Sequence, residues 1–309
     1  MGEYSKSAII KYNRQYLRIT QEALAENICD VVTLARYESG KLKPSDKNFA
    51  QLMHKMGISG ETYTIPMQYG SANQEQALKE IMNQLERYAF EDVENALNRL
   101  KAEINYSPQY PENRQCIQRI ELILAFFRKK EISGEEYIKG LKEALLLTFK
   151  EYNETHFPIH RIFSDNEIQI INNIATQYGE SGHTELAFRL FENLEEYFRQ
   201  DIVIKDYKPR YLVLLNYSCQ LGLSGRYDES MQISKCAIQW LRKYHKSNYL
   251  YNFYYNIGWC IKKKIDAQKA SQNLLSTAKA YVWMACQLCK IYHENPRNYV
   301  IMKNFYEKF

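Results

Sequence analysis

Two pairs of side chains in this 309-residue sequence have the spacing of metal ligands. His156 and His160 would set two imidazoles one turn apart on a helix, but Pro158 between them prevents that regular helix. Cys286 and Cys289 form a C-x-x-C within a long helical pattern, and no second pair completes a zinc site. Glu135 with Glu136, and Glu195 with Glu196, are adjacent carboxylates without a partner acid or base, and they read as solvated helix faces. Glycine-rich phosphate loops and G-x-S-x-G are absent. These readings predict no enzyme, no metal and no cofactor. What remains is recognition chemistry. Val31, Val32, Thr33 and Arg36 fall on the outside of one short helix, with Gln21 at the start of another, and amide side chains recur far down the chain.

The elements that hold the first group can be read from residue types. Thr20 is placed to cap a helix through its hydroxyl, and Glu22 complements the positive end of the helix dipole. Leu24, Ile28, Leu34 and Tyr37 turn inward at helical spacing, and Gly40 stops the second helix. Pro44-Ser45 opens a further helix carrying Phe49, Leu52 and Met56 and ending at Gly57, and Ser5 caps one carrying Ile9, Ile10, Tyr12, Tyr16 and Leu17. Two short helices joined by a tight turn, inside a small helical bundle, make a helix-turn-helix, and the first expectation is DNA binding.

Residues 5–57, with Thr20 through Gly40 as their centre, resemble the XRE-type helix-turn-helix domain of phage repressors. The resemblance implies that Gln21 bonds a DNA phosphate and that Arg14 forms a structural ion pair with Glu38. It also sets Val31, Val32, Thr33 and Arg36 against base edges in the major groove and Lys41 and Lys43 against phosphates. The valines depart from the hydrogen-bonding residues usual at those positions, so readout would fall to Arg36, Thr33 and methyl contacts with thymine. Charge adds little: residues 1–66 hold nine Lys and Arg against seven Asp and Glu, so attraction to DNA must come from a local patch and from dimerisation.

The remaining chain is long enough for a second core. Its low content of Pro and Gly, seven and 12, predicts an all-α protein. No apolar run is long enough to span a bilayer and the N-terminus lacks a signal segment, so no membrane and a cytoplasmic location are expected. The seven cysteines read as reduced core residues, and the 26 tyrosines as amphipathic packing. Helical period lapses between Gly57 and about Gln74, which gives domains at 1–66 and 75–309 with a linker at 67–74.

Beyond the linker the helical patterns come in pairs. Asn173 and Asn216 each lie nine residues before a glycine, Gly182 or Gly225, and 43 residues apart; Gln177 and Gln220 match at the same offset. A third copy is expected to begin at Asn256. Helix pairs at 75–104, 112–152, 168–198, 211–241 and 250–292, closed by a helix over 298–309, predict a right-handed α-solenoid of about five tetratricopeptide-like repeats.

With both parts in view, the chain resembles the Rgg/Rap/NprR/PlcR/PrgX family of peptide-sensing bacterial proteins. The resemblance implies a homodimeric transcription regulator of a double-stranded DNA operator, whose repeats bind a short signalling peptide on their concave face. It assigns the grip on the peptide backbone to Asn173, Asn216 and Asn256, with Gln177 and Gln220 one turn on and Gln169 and Asn252 one turn before. The competing expectation is a protein-interaction scaffold whose repeats bind a protein partner, with the helix-turn-helix serving mainly for dimerisation; for the asparagines, the competing role is to hold neighbouring helices together.

Overall fold

The computed structural model describes residues 6–56, 72–87, 89–103, 111–154, 157, 163–199, 208–247, 249–292 and 296–309. Ser5, Gly57, His156 and His160, which carried expectations above, lie outside the described residues. Among the described residues the fold is all-α, with no strand.

The first domain comprises α1 (Lys6–Tyr16), α2 (Gln21–Ala25), α3 (Val31–Glu38) and α4 (Asp46–Lys55). Local chemistry starts three of them. Thr20 accepts from the Ala23 N–H at 3.1 Å, Asp30 from Thr33 at 2.7 Å and Ser45 from Asn48 at 3.2 Å, each satisfying a first-turn donor that the helix itself leaves free. Asn27 takes a left-handed φ of 63° in the turn between α2 and α3, and Gly40 one of 71° just after α3. Ile10, Leu24, Leu34, Phe49 and Leu52 meet as the domain core.

The second domain opens with α5 (Ala72–Glu86) and α6 (Phe90–Glu103). Residues 72–74, expected in the linker, are the first turn of α5, where Ala and Gln are good helix formers. Four more pairs follow: α7 (Pro111–Ile123) with α8 (Gly134–Leu146), α9 (Asp165–Glu180) with α10 (Thr184–Arg199), α11 (Lys208–Leu223) with α12 (Tyr227–Lys243), and α13 (Leu250–Asp266) with α14 (Leu275–Tyr292). A π-helical stretch over Leu124–Lys129 extends α7, and α15 (Pro296–Tyr306) closes the series against α14. Ser133 and Ser164 start α8 and α9 with full capping boxes, completed by Glu136 and Glu167.

First helices of consecutive pairs touch, α7 with α9, α9 with α11 and α11 with α13, whereas second helices stand farther apart. The stack therefore curves with its first helices on the inside. Its core is apolar and close-packed. Ile168, Ile170, Ile171 and Ile174 of α9 are fully buried, each stabilising the fold by roughly 1.5–3 kcal/mol. Gly258 brings α13 so close to α14 that an added Cβ would sit 2.8 Å from the Ala278 carbonyl oxygen. Among the described residues, no helix is long and apolar enough to cross a membrane, and no cluster of His, Cys, Asp or Glu could hold a metal ion. Cys286 and Cys289 are buried thiols of α14.

One adjacent-carboxylate reading is corrected: Glu195 is buried and pairs with buried Arg210 at 3.5 Å, instead of facing solvent. The Arg210 guanidinium also lies 3.6 Å from the Trp240 ring centre.

Candidate functional site

In the first domain the outward face of α3 is held by an ion-pair scaffold. Arg14 Nε donates to Glu38 Oε1 at 2.5 Å and Nη2 to Oε2 at 2.9 Å, while Nη1 donates to the Ile19 carbonyl at 2.9 Å. Glu38 is buried, and its hydrogen bond, acting with the carboxylate charge against desolvation, raises the Arg14 pKa. Gln21 Nε2 donates to the same carboxylate at 2.7 Å, which fixes the amide and leaves its second N–H for another acceptor. Three helices are thus joined at one carboxylate beneath the turn.

The residues expected to face DNA separate into different environments. Val32 is 61% exposed, and Arg36, Lys41 and Lys43 are exposed beside it in sequence. Val31 lies half-buried against the domain core, so it is a packing residue instead of a surface one. The Thr33 hydroxyl donates to Asp30 Oδ2 at 2.6 Å, which leaves it able only to accept from a base. This same bond leads the causes that lower the Asp30 pKa, so the cap keeps its charge.

The repeat amides also sort differently from the sequence expectation. Gly182, Gly225 and Gln268, spaced by 43 residues, all turn left-handed, with φ of 83°, 79° and 56°. The turns also share one hydrogen bond, from His183 to Tyr178, Arg226 to Leu221 and Lys269 to Lys264. The third repeat therefore keeps the 43-residue spacing, and Trp259, not Asn256, is the counterpart of Asn173 and Asn216. Sequence matching missed this because Gln268 replaces the marker glycine. The half-exposed stripe runs Gln169, Asn173 and Thr176 on α9, Leu212, Asn216 and Cys219 on α11, then Tyr255, Trp259 and Lys262 on α13.

Asn256 lies at the buried register of Ile170 and Val213 and donates to Ser230 Oγ at 2.9 Å and Ser234 Oγ at 3.0 Å. It ties α13 to α12. Gln177 and Gln220 are buried as well, packed so tightly on Gly134 and Gly179 that an added Cβ would approach them within 2.8 Å and 2.2 Å. These three amides are corrected from ligand contacts to stack contacts. Asn173 and Asn216 keep a half-exposed side chain while donating to Tyr137 Oη at 3.4 Å and Asn172 Oδ1 at 3.2 Å. Gln169 and Asn252 are half-exposed, with no hydrogen bond to Asn252 Oδ1. Sequence reading passed over Asn172, Tyr137, Asn166 and Arg119: Asn172 accepts from Asn216, Tyr137 from Asn173 and Asn166 from Arg119, and the signal was Arg119 at a core position of the α7 period.

The fold and the geometry of α2 and α3 define a class: a helix-turn-helix domain joined to a curved stack of helix pairs. Residues 10–62 match the helix-turn-helix family, which covers the turn and both of its helices. Over nearly the whole chain the fold is that of PlcR from Bacillus thuringiensis, solved with the peptide PapR7 and DNA. That likeness has 22% identity, a TM-score of 0.61 and coverage of 98% of each chain. Apo PlcR gives 18% identity and a TM-score of 0.57, over 96% of this chain and 98% of that one. ComR from S. thermophilus, solved with DNA and its signalling peptide ComS, gives 14%, 0.52 and 98% of each. No curated protein matches the sequence.

Proposed function

We propose that the chain is a peptide-responsive transcription regulator that binds an operator as a homodimer. The observation that carries this reading is the face of α3: Arg36 and Val32 stand exposed on a short helix whose position is set by the Arg14–Glu38–Gln21 bonds. A guanidinium there can donate two hydrogen bonds to guanine O6 and N7, and Val32 can meet a thymine methyl. Lys41, Lys43 and the second N–H of Gln21 supply phosphate contacts that set the docking register.

The inner stripe supplies the ligand side. Asn173 and Asn216 can each offer an amide donor and acceptor to an extended backbone that has no partner strand. Gln169 and Asn252 extend that surface. Peptide binding that favours one arrangement of the dimer sets the separation of the two α3 helices, and half-sites about 34 Å apart on DNA convert that separation into affinity. The exposed apolar side chains Trp283, Met284 and Ile291 of α14 and Val300 and Ile301 of α15 offer a surface for the second subunit. The neighbouring solved structures, which hold peptide and DNA together, support the same reading.

Selection of genomic fragments on the full chain, followed by a gel shift at fixed salt, tests it. A selected fragment should be retained by the wild type and released when Arg36 is replaced by Ala. Equal retention of selected and random fragments would reject sequence-specific binding.

A further inference from the structure

Among the described residues, Arg119 is a charge without a counter-charge. It is 3% exposed on α7, and its donors go to neutral atoms: Nε to Asn166 Oδ1 at 2.6 Å on α9 and Nη2 to Met82 Sδ at 3.2 Å on α5. Burial lowers its pKa, and the groups that oppose this are the Cys116 thiol and the Tyr137 phenol, not a carboxylate. The buried Arg210 and the half-buried Arg14 are treated differently. Arg210 has Glu195, and Arg14 has Glu38. An unpaired buried guanidinium costs several kcal/mol, so a fold that retains one gains from something that binds it.

The place of Arg119 says what. By touching both α5 and α9, the first helices on either side of its own, it lies buried between the inner helices of the stack. The half-exposed residues Asn166, Gln169 and Asn173 of α9 lie along the inner curve, and Asn173 reaches the buried Tyr137 hydroxyl. Desolvation holds that phenol protonated, so it remains a donor. A guanidinium, a phenol and two amides therefore converge under one end of the stripe. The group complementary to them is a planar anion with two acceptor oxygens.

We infer that Arg119 is the anchor for a carboxylate of the bound peptide, with Tyr137 and Asn166 beside it, at the α7–α9 end of the inner stripe. The inference rests on the peptide reading above and gives that peptide a chemical requirement. The carboxylate can be the chain terminus or an acidic side chain.

Three pools of random short synthetic peptides distinguish these sources on the immobilised full chain. One has free C-termini and no Asp or Glu, one has amidated C-termini and a single Asp or Glu, and one has amidated C-termini and no acidic residue. One carboxylate-bearing pool should be enriched at least about tenfold over the carboxylate-free pool, about 1.4 kcal/mol. Arg119→Met should abolish that preference and leave the melting temperature of the peptide-free protein unlowered, because an unpaired buried charge has been removed. Arg119→Lys should keep part of the preference. Equal retention of all three pools overturns the anchor; if that retention is lost in Asn173→Ala with Asn216→Ala, the peptide reading still stands. Retention of none rejects both. A lower melting temperature in Arg119→Met, with no preference in Arg119→Lys, makes Arg119 a packing bridge and overturns the inference.

Discussion

The two domains use buried polar groups in opposite ways. In the first, one carboxylate, Glu38, gathers Arg14 and Gln21 behind the turn, and the outward residues Val32 and Arg36 are left uncommitted. In the repeats, polar groups lie between the helices themselves: Asn256 on two serines, Gln220 on Gly179, Asn216 on Asn172. In the small bundle the scaffold bonds lie behind the turn, and the outward face of α3 stays free of them. A solenoid presents the same helix faces to its neighbours and to its groove, so each amide must be assigned by burial.

The largest effect expected from breaking this contrast is in the first domain. Glu38→Ala strands the Arg14 guanidinium and should cost about 3 kcal/mol in chemical denaturation of that domain, with loss of operator binding. Retained stability would dissolve the idea of a carboxylate hub. Next, Asn256→Ala leaves two buried hydroxyls short of a donor and should cost about 2 kcal/mol, whereas half-exposed Asn173→Ala should cost less than about 1 kcal/mol. Equal melting of the two variants would erase the division between stack and groove amides. Arg36→Ala should weaken specific operator binding by about 1–3 kcal/mol without moving the melting temperature. A variant that melts lower would place Arg36 in the scaffold.

The smallest effect concerns Glu112 of α7. Burial, opposed by its own backbone N–H and reinforced by Glu167, raises its pKa above the ordinary Glu value. Protonation therefore favours the folded state, and its contribution is full in acid below the ordinary Glu value and lost as pH rises through the raised one. Glu112→Gln should melt higher than the wild type at neutral pH and converge with it in acid. A difference that grows as pH falls would contradict this.

Much of the architecture was legible because its signals are local. Thr20 and Ser45 announce helix starts, Gly182 and Gly225 announce turns, and apolar period gives the pairs. The third repeat was misread because its turn is built by Gln268, a side chain that takes the left-handed conformation without advertising it. Sequence spacing then settled on Asn256, which resembles Asn216 in type but occupies a buried register. Val31 and Val32 are adjacent and alike, and only the packing of α3 separates a core contact from a surface one. The charge on Arg119 was visible in sequence, but the absence of a carboxylate around it among the described residues belongs to the assembled helices.

The substitution of an indole for an amide at the third inner position has its own consequence. Along the curve, Asn173 and Asn216 are followed by Trp259, so the lining changes from hydrogen-bonding to aromatic in a fixed order. An extended chain laid there in one sense meets amides first, and in the other meets the ring first. The surface is polarised end to end, and a peptide bound there as proposed above would be sorted by the direction of its backbone before any side chain.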